Sequence, residues 1–393
     1  MRSKGKRILL TGGRAFVTLD LVRQLARAGH QVIVAESVPV HLCRYSNCVK
    51  KSYLVPQPNC ETAAYIDALI SIVQAEQVDL IIPTCEEVFF IAEALDHLRE
   101  HCAVFVAPLA QMRRLHSKWE FNQLARRSGL RVPETHILTS QYDLQQFMAC
   151  NQRPFVLKPV FSRFATKVLM INEREQTSSS WHHLTISEQY PWVAQERIEG
   201  QGFCSYSIAH CGKLVAHAVY AENFTAGRGA CIQFAPVEHP GIDCWVKRFV
   251  ELEQFSGQIA FDFIVTEAGE VFPLECNPRA TSGIHLFRRS DALPGAFLEE
   301  HHHQQVRKPQ ASTQAMIALA MLVYGLPSVH SWARLKEWLR IFSQAKDVVF
   351  DARDVKPFLY QPFILWYNWK ESRAAGLSLL EFSTKDIEWN GQL

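Results

Sequence analysis

The 393 residues are enough for two to three domains, and a 48% hydrophobic content supports packed cores. Forty-one basic against 39 acidic residues leave a net charge of +2, which gives no electrostatic case for nucleic acid. No apolar run approaches the ~18 residues that span a membrane. The 11 cysteines include no Cys-x-x-Cys, so the pattern points to reduced thiols in the cytoplasm, not to a zinc site or a disulfide framework.

The segment Met1–Arg7 is basic, but a short strand and a Thr-Gly-Gly turn follow it, unlike a signal peptide. Arg7–Thr11 reads as a buried strand and Gly12-Gly13 as a tight turn. Leu21, Val22, Leu25 and Ala26 mark a helix over about residues 17–28, stopped by Gly29. Gln31–Ala35 is a second strand ending in Glu36. This βαβ opening predicts an α/β domain with a parallel sheet. It also admits a dinucleotide-dependent oxidoreductase with Glu36 on a ribose, although Arg14, Ala15 and Phe16 stand where the third glycine of that fingerprint belongs. Val78–Pro83 is a further strand. Thr84, Glu86 and Glu87 at its carboxyl end would either face a substrate or open a helix.

Ser117 and Glu120 have capping-box spacing, and Phe121, Leu124 and Ala125 carry the helix on to Gly129. Lys118 stands at its first turn, where a solvated lysine is the plain alternative. The strand Pro154–Pro159 presents Lys158, whose charge needs a partner or an anion. In Ser162–Val168, the side chains of Ser162, Arg163, Thr166 and Lys167 with backbone amides would suit a phosphate. Asn172–Ser187 reads as a helix with a polar surface loop. Trp192–Gly200 is a strand running into a loop, and Cys204–Tyr220 is a pair of strands turning at His210–Lys213. Arg228 lies in a glycine-containing cationic loop, and Val246, Phe249, Val250 and Leu252 mark a helix over Trp245–Phe255.

The stretch Gln258–Arg279 reads as a hairpin. Ile259, Phe261, Phe263 and Val265 alternate on one face with Asp262 on the other, and Glu267–Glu270 form the turn. Pairing Thr266 with Val271 sets Asp262 opposite Glu275, with Asn277 on the same face. Two adjacent carboxylates repel, and hard oxygen ligands of this kind suit Mg²⁺. Arg279 stands close enough for a phosphate or a carboxylate. Thr281–His285 would face an acceptor. His301-His-His303 reads as a solvated helix end. Beyond Arg307 the tryptophan-rich chain is ordered by composition, and would cover an active-site mouth or form a subunit interface such as a homodimer.

Taken in this order, the motifs resemble the ATP-grasp superfamily over roughly residues 5–290. Asp262 followed by Glu275-Cys-Asn277-Pro-Arg279 is similar to that family's metal-binding end. The continuation through Gly283 is most similar to the branch related to the carbamoyl-phosphate synthetase large subunit. Ser-Lys-x-x-Phe from Ser117 and Gly-Leu-x-Val-Pro from Gly129 resemble the family's entry into its fold. The resemblance implies three parts. A Rossmann-like α/β pre-ATP-grasp domain covers residues 1–113. A two-lobed α+β ATP-grasp fold covers 114–305, with lobes of about 114–195 and 196–305. A mixed extension covers 306–393.

The same resemblance implies ATP and Mg²⁺, with Mn²⁺ as a substitute, the metal on Asp262, Glu275 and Asn277. It assigns the nucleotide to Lys118, Lys158, Ser162, Thr166, Gln195, Glu196, Arg197 and Ile198. Glu199 would hold the ribose, because Gly202 stands where the family has a carboxylate. Arg279 and Arg228 would serve catalysis. The implied function is an ATP-dependent ligase that activates a small-molecule carboxylate as an acyl phosphate for an amine. No Ser-His-Asp set is evident. The family's loop glycines are missing from residues 162–168, which keeps open a non-catalytic nucleotide-binding protein.

Overall fold

The computed structural model describes residues 5–162, 168–171, 181, 183–227, 230–298 and 305–391. A parallel sheet comes first, built from Arg7–Thr11, Gln31–Glu36, Val49–Leu54, Leu80–Ile82 and Ala103–Val104 in the spatial order third, second, first, fourth, fifth. Ile8, Leu9 and Leu10 of the central strand are fully buried, as in a parallel sheet covered on both faces. The helix Phe16–Arg27 follows as expected. Gly12 has φ +73°, and a Cβ there would lie 2.7 Å from Thr84 Oγ1, so the first turn needs glycine.

Glu36 is not available to a ribose. It is buried, and its carboxylate accepts bonds from the Arg14 guanidinium, the Arg14 amide and the Ser37 and Val38 amides. Burial would raise its pKa, but the Arg14 guanidinium holds it down to about 2. The structure therefore removes the residue on which the dinucleotide reading rested. A carboxylate depressed below its ordinary range stabilises the fold above about pH 4.5, and that stabilisation is lost as the pH falls towards 2. Urea midpoints measured between pH 6 and pH 2 should fall in acid for the native chain. The Glu36→Gln variant should be less stable at neutral pH and show a shallower acid decline; an unchanged profile would refute this account.

Thr84, Glu86 and Glu87 are also buried. Glu87 Oε1 accepts from Thr11 Oγ1 at 2.6 Å and from the Thr84 and Cys85 amides at 3.1 and 3.0 Å, so it braces the turn instead of meeting a ligand.

Two antiparallel sheets follow. The smaller has the order Thr135–Leu138, Trp192–Glu196, Phe155–Pro159, Leu169–Ile171. The larger has the order Lys213–Ala221, Gln201–His210, Gly257–Val265, Val271–Asn277. Its hydrophobic face is covered by a helix that spans Pro240–Leu252, five residues earlier at its start than the sequence pattern suggested. Pro240 fits the first turn, where its missing N–H costs nothing, and the His239 ring accepts from the Ile242 amide. Trp245 stacks on Phe249 at 5.1 Å and meets Phe261 and Phe263 edge-on at 5.3 and 5.4 Å.

The C-terminal part folds back onto the first domain. Ala315–Met316 pairs with Gln233–Phe234 and with Lys346–Asp347. Tyr360 of the helix Lys356–Ala374 stacks on Tyr45 at 4.0 Å. Trp389 is buried and stacks on Phe89 at 4.5 Å, with Phe161 edge-on at 5.4 Å. Trp332, Trp366 and Trp369 remain exposed.

Candidate active site

The hairpin forms, but in a different register near its turn. Thr266 bonds to Glu270 rather than pairing with Val271, and Val265, Ile264 and Phe263 face Val271, Phe272 and Pro273. The register then shifts by one between Phe263 and Asp262, with Leu274 as the extra residue. Beyond this bulge Asp262 faces Glu275 and Ala260 faces Asn277. The carboxylates thus meet as expected, through a bulge that the sequence reading did not contain. The Asn277 amide lies 3.4 Å from both Asp262 Oδ2 and Glu275 Oε1.

Two buried lysines converge on this face. Ser117 caps the helix Lys118–Arg127 by accepting from the Glu120 amide. That places Lys118 Nζ 3.2 Å from the Ser162 carbonyl, 3.1 Å from Ser162 Oγ and 3.6 Å from Glu275 Oε2. The solvated alternative for Lys118 is therefore wrong. Lys158 comes from the smaller sheet. It donates to Gln195 Oε1 at 2.8 Å and, across to the larger sheet, to the Leu274 carbonyl at 3.1 Å. The bulged residue of the hairpin thus supplies the acceptor that ties the two sheets together at the site.

The charges are strongly interdependent. Burial lowers the Lys158 pKa to about 8 despite the Glu275 carboxylate. Burial would raise Glu275, but the Lys118 and Lys158 ammoniums bring it down to about 2. Burial and then the Glu275 charge push the Asp262 carboxyl well above the usual range. A divalent cation on Asp262, Glu275 and Asn277 would remove that repulsion, and their all-oxygen donor set fits a hard ion.

Arg279 Nη2 donates to Asn277 Oδ1 at 3.0 Å and lies 3.7 Å from Glu86 Oε1, so the arginine braces one member of the donor set. Around the loop after Trp192–Glu196, the Glu196 amide and carboxylate both bond to the backbone of Glu134, and the Arg197 amide bonds to the Pro154 carbonyl. Ile198 follows, partly buried. The side chain of Glu199 is 84% exposed, with Arg197 at 3.8 Å. Thr166 and Arg228 lie outside the described residues, as do Arg163, Lys167 and His301–His303.

The structure instead brings a carboxylate that sequence reasoning missed. Glu222 lies opposite Gly202, its amide bonded to the Gly202 carbonyl at 2.9 Å. A Cβ on Gly202 would stand 2.3 Å from Glu222 Oε2, so the glycine leaves the space that Glu222 fills. The signal was the hairpin itself, but a bulge between Ile208 and Ala209 shifts its register by one residue. Counting back from the Cys211-Gly212 turn without the bulge puts Glu222 opposite Gln201.

Two further expectations need correction. Within Thr281–His285, Gly283 packs on Tyr206 and buried His285 bonds Asp20 at 2.9 Å, so these two residues do not face an acceptor, whereas Thr281 and Ser282 are partly exposed. A Ser-His-Asp chain does exist. Ser207 Oγ lies 2.8 Å from His217 Nδ1, and His217 Nε2 lies 3.2 Å from Asp243 Oδ1. Ser207 is fully buried on the helix-covered face, so no substrate reaches it and the chain is a structural clamp.

Residues 115–283 match the family model of the ATP-grasp domain. No curated protein matches the chain in sequence. Among solved structures, N5-carboxyaminoimidazole synthetase from Staphylococcus aureus complexed with ADP has a TM-score of 0.63 at 13% identity, over 82% of this chain and 85% of that one. Biotin carboxylase from Campylobacter jejuni, a β,γ-ATP complex, has a TM-score of 0.61 at 13% identity, over 80% and 75%. L-amino acid ligase from Bacillus licheniformis has a TM-score of 0.59 at 15% identity, over 75% of each chain. At these identities the likeness is one of fold. That fold is the expected one: a parallel-sheet α/β domain followed by antiparallel ATP-grasp sheets.

Proposed function

We propose that this chain, which carries an ATP-grasp domain at residues 115–283, is an ATP-dependent ligase. It activates a small-molecule carboxylate as an acyl phosphate and joins it to an amine or related nucleophile. The observation that carries the reading is the convergence of Lys118 and Lys158 on Asp262, Glu275 and Asn277 at the seam of two antiparallel sheets. Similarity to ligases whose structures contain ADP or an ATP analogue supports it. We assign residues 1–113, 114–305 and 306–393 to the α/β domain, the ATP-grasp domain and the extension, and place the protein in the cytoplasm. Among the described residues no helix is long and apolar enough to cross a membrane.

In this reading Lys158 and Lys118 meet the nucleotide phosphates, with Ser162 beside them, and the loop from Gln195 to Ile198 borders the adenine. Glu222 replaces Glu199 as the carboxylate nearest the position expected to serve the ribose. Asp262, Glu275 and Asn277 would hold Mg²⁺, which when bound offsets phosphate charge. The two lysines bring further positive charge to the same place, where it acts without reorganisation. Arg279, held by Asn277, is oriented towards the same face and would bind the substrate carboxylate or the acyl phosphate. The transfer needs no side-chain nucleophile, consistent with the inaccessibility of Ser207.

A phosphate-release assay with Mg²⁺, ATP and pooled carboxylates and amines tests this, with mass spectrometry of the products. ADP together with a condensed product is the expected result. ATP binding without ADP formation from any pool would favour a non-catalytic nucleotide-binding protein, the reading to which the glycine-poor segment 162–168 points.

A further inference from the structure

Cys204 lies next to Asp262 in the adjoining strand and next to Tyr220 on its other side. Its side chain shares the Asp262 face of the sheet. Cys231, from a two-residue strand 27 positions later, is buried against the same face. The Cys204 thiol donates to Glu222 Oε1 at 3.5 Å. One ligand atom each from Cys204, Cys231 and Glu222 lie within 4.8 Å of one another. Two strands, the residue just past the end of a third, and one glycine create this: Gly202 vacates the volume into which the Glu222 carboxylate turns.

We propose that Cys204, Cys231 and Glu222 form a binding site for a soft divalent cation of the Zn²⁺ class, directly beside the hard-ion donor set of Asp262, Glu275 and Asn277, with Glu222 held by that cation instead of serving a ribose. Sulfurs bound to a tetrahedral zinc at 2.3 Å stand about 3.8 Å apart, so the three side chains need only a small contraction. Two thiolates and a carboxylate select such an ion over Mg²⁺. Three protein ligands leave the fourth position for water. Uptake displaces the two thiol protons into solvent, with no change of oxidation state. The hydrogen bond from Cys204 to Glu222 shows that the carboxylate is already turned towards the sulfur it would share a metal with.

The test uses the full chain, reduced, stripped with a chelator and titrated with Co²⁺ without nucleotide. It is independent of the ligase reading, because no ATP chemistry is read. One equivalent should bind with intense near-ultraviolet sulfur-to-cobalt absorption, and Zn²⁺ should abolish that band. Cys204→Ser and Cys231→Ser should each remove most of it. Glu222→Gln should weaken binding by roughly 10- to 100-fold, on the scale of lost partners at metal sites. Cys244→Ser, an exposed cysteine elsewhere, should change nothing. A wild-type titration without the thiolate band overturns the proposal. So does a band that survives Cys231→Ser, or a Cys204–Cys231 disulfide that persists in place of Co²⁺ uptake. If Cys204→Ser does not fold, the wild-type spectrum and Cys231→Ser still decide.

Discussion

Under the proposed ligase function, Glu275→Ala should lower ATP turnover by roughly 10²- to 10³-fold, on the scale of losing one preorganised electrostatic partner of a transition state. The fall should appear in kcat more than in KM, because the proposed role of the carboxylate is to serve the charge that develops during transfer. Removing it does more than delete a ligand. Lys118 loses the oxygen at 3.6 Å, and Lys158 loses the charge that opposes its desolvation, so its pKa falls further below about 8. Asp262, freed of its like-charged neighbour, moves back towards an ordinary carboxylate. One substitution would thus weaken both the proposed metal site and the two lysines proposed to meet the phosphates. Steady-state phosphate release with and without Mg²⁺, in the native chain and the variant, checks it. Turnover within twofold of native would sink the assignment of Glu275.

The largest stability effect is expected at Arg23. This arginine is 1% exposed on the first helix. Its Nε donates to Asp354 Oδ2 at 2.8 Å, and its Nη atoms donate to the carbonyls of Val348, Val349 and Asp354 at 3.2, 2.9 and 3.0 Å. Asp354, fully buried, also accepts from Ser46 Oγ and the Asn47 amide. The network fastens the C-terminal part to the first domain. Arg23→Ala leaves a buried carboxylate without its cation and should cost about 3–5 kcal/mol in urea unfolding. Arg23→Met combined with Asp354→Leu should lose much less than the two single changes added together, since the stranded charge is then absent. Strict additivity in that cycle would show that the pair is not what joins the two parts.

Much of the fold was legible because alternation and helical spacing are properties of the local backbone. Ile259, Phe261, Phe263 and Val265 placed Asp262 on the face opposite the helix-covered one, and the returning strand did the same for Glu275 and Asn277. The buried run Ile8–Leu10 and the helix after Gly12-Gly13 identified the parallel domain in the same way. Ser117 and Glu120 located the helix that carries Lys118.

The sequence by itself therefore determined the order of elements and which side of each strand the polar groups occupy. Only the tertiary structure decided which of them meet. Two bulges, at Leu274 and between Ile208 and Ala209, each move a register by one residue; the first gives Lys158 its carbonyl acceptor and the second brings Glu222 over Gly202. Cys204 and Cys231 carry no motif spacing because their proximity is made across strands. Glu36 looked available until Arg14 and Asp386, 372 positions apart in the chain, closed around it. Periodicity is set by a few neighbouring dihedral angles, whereas bulges and distant ion pairs are set by how separate segments pack, and no short stretch of chain encodes that alone.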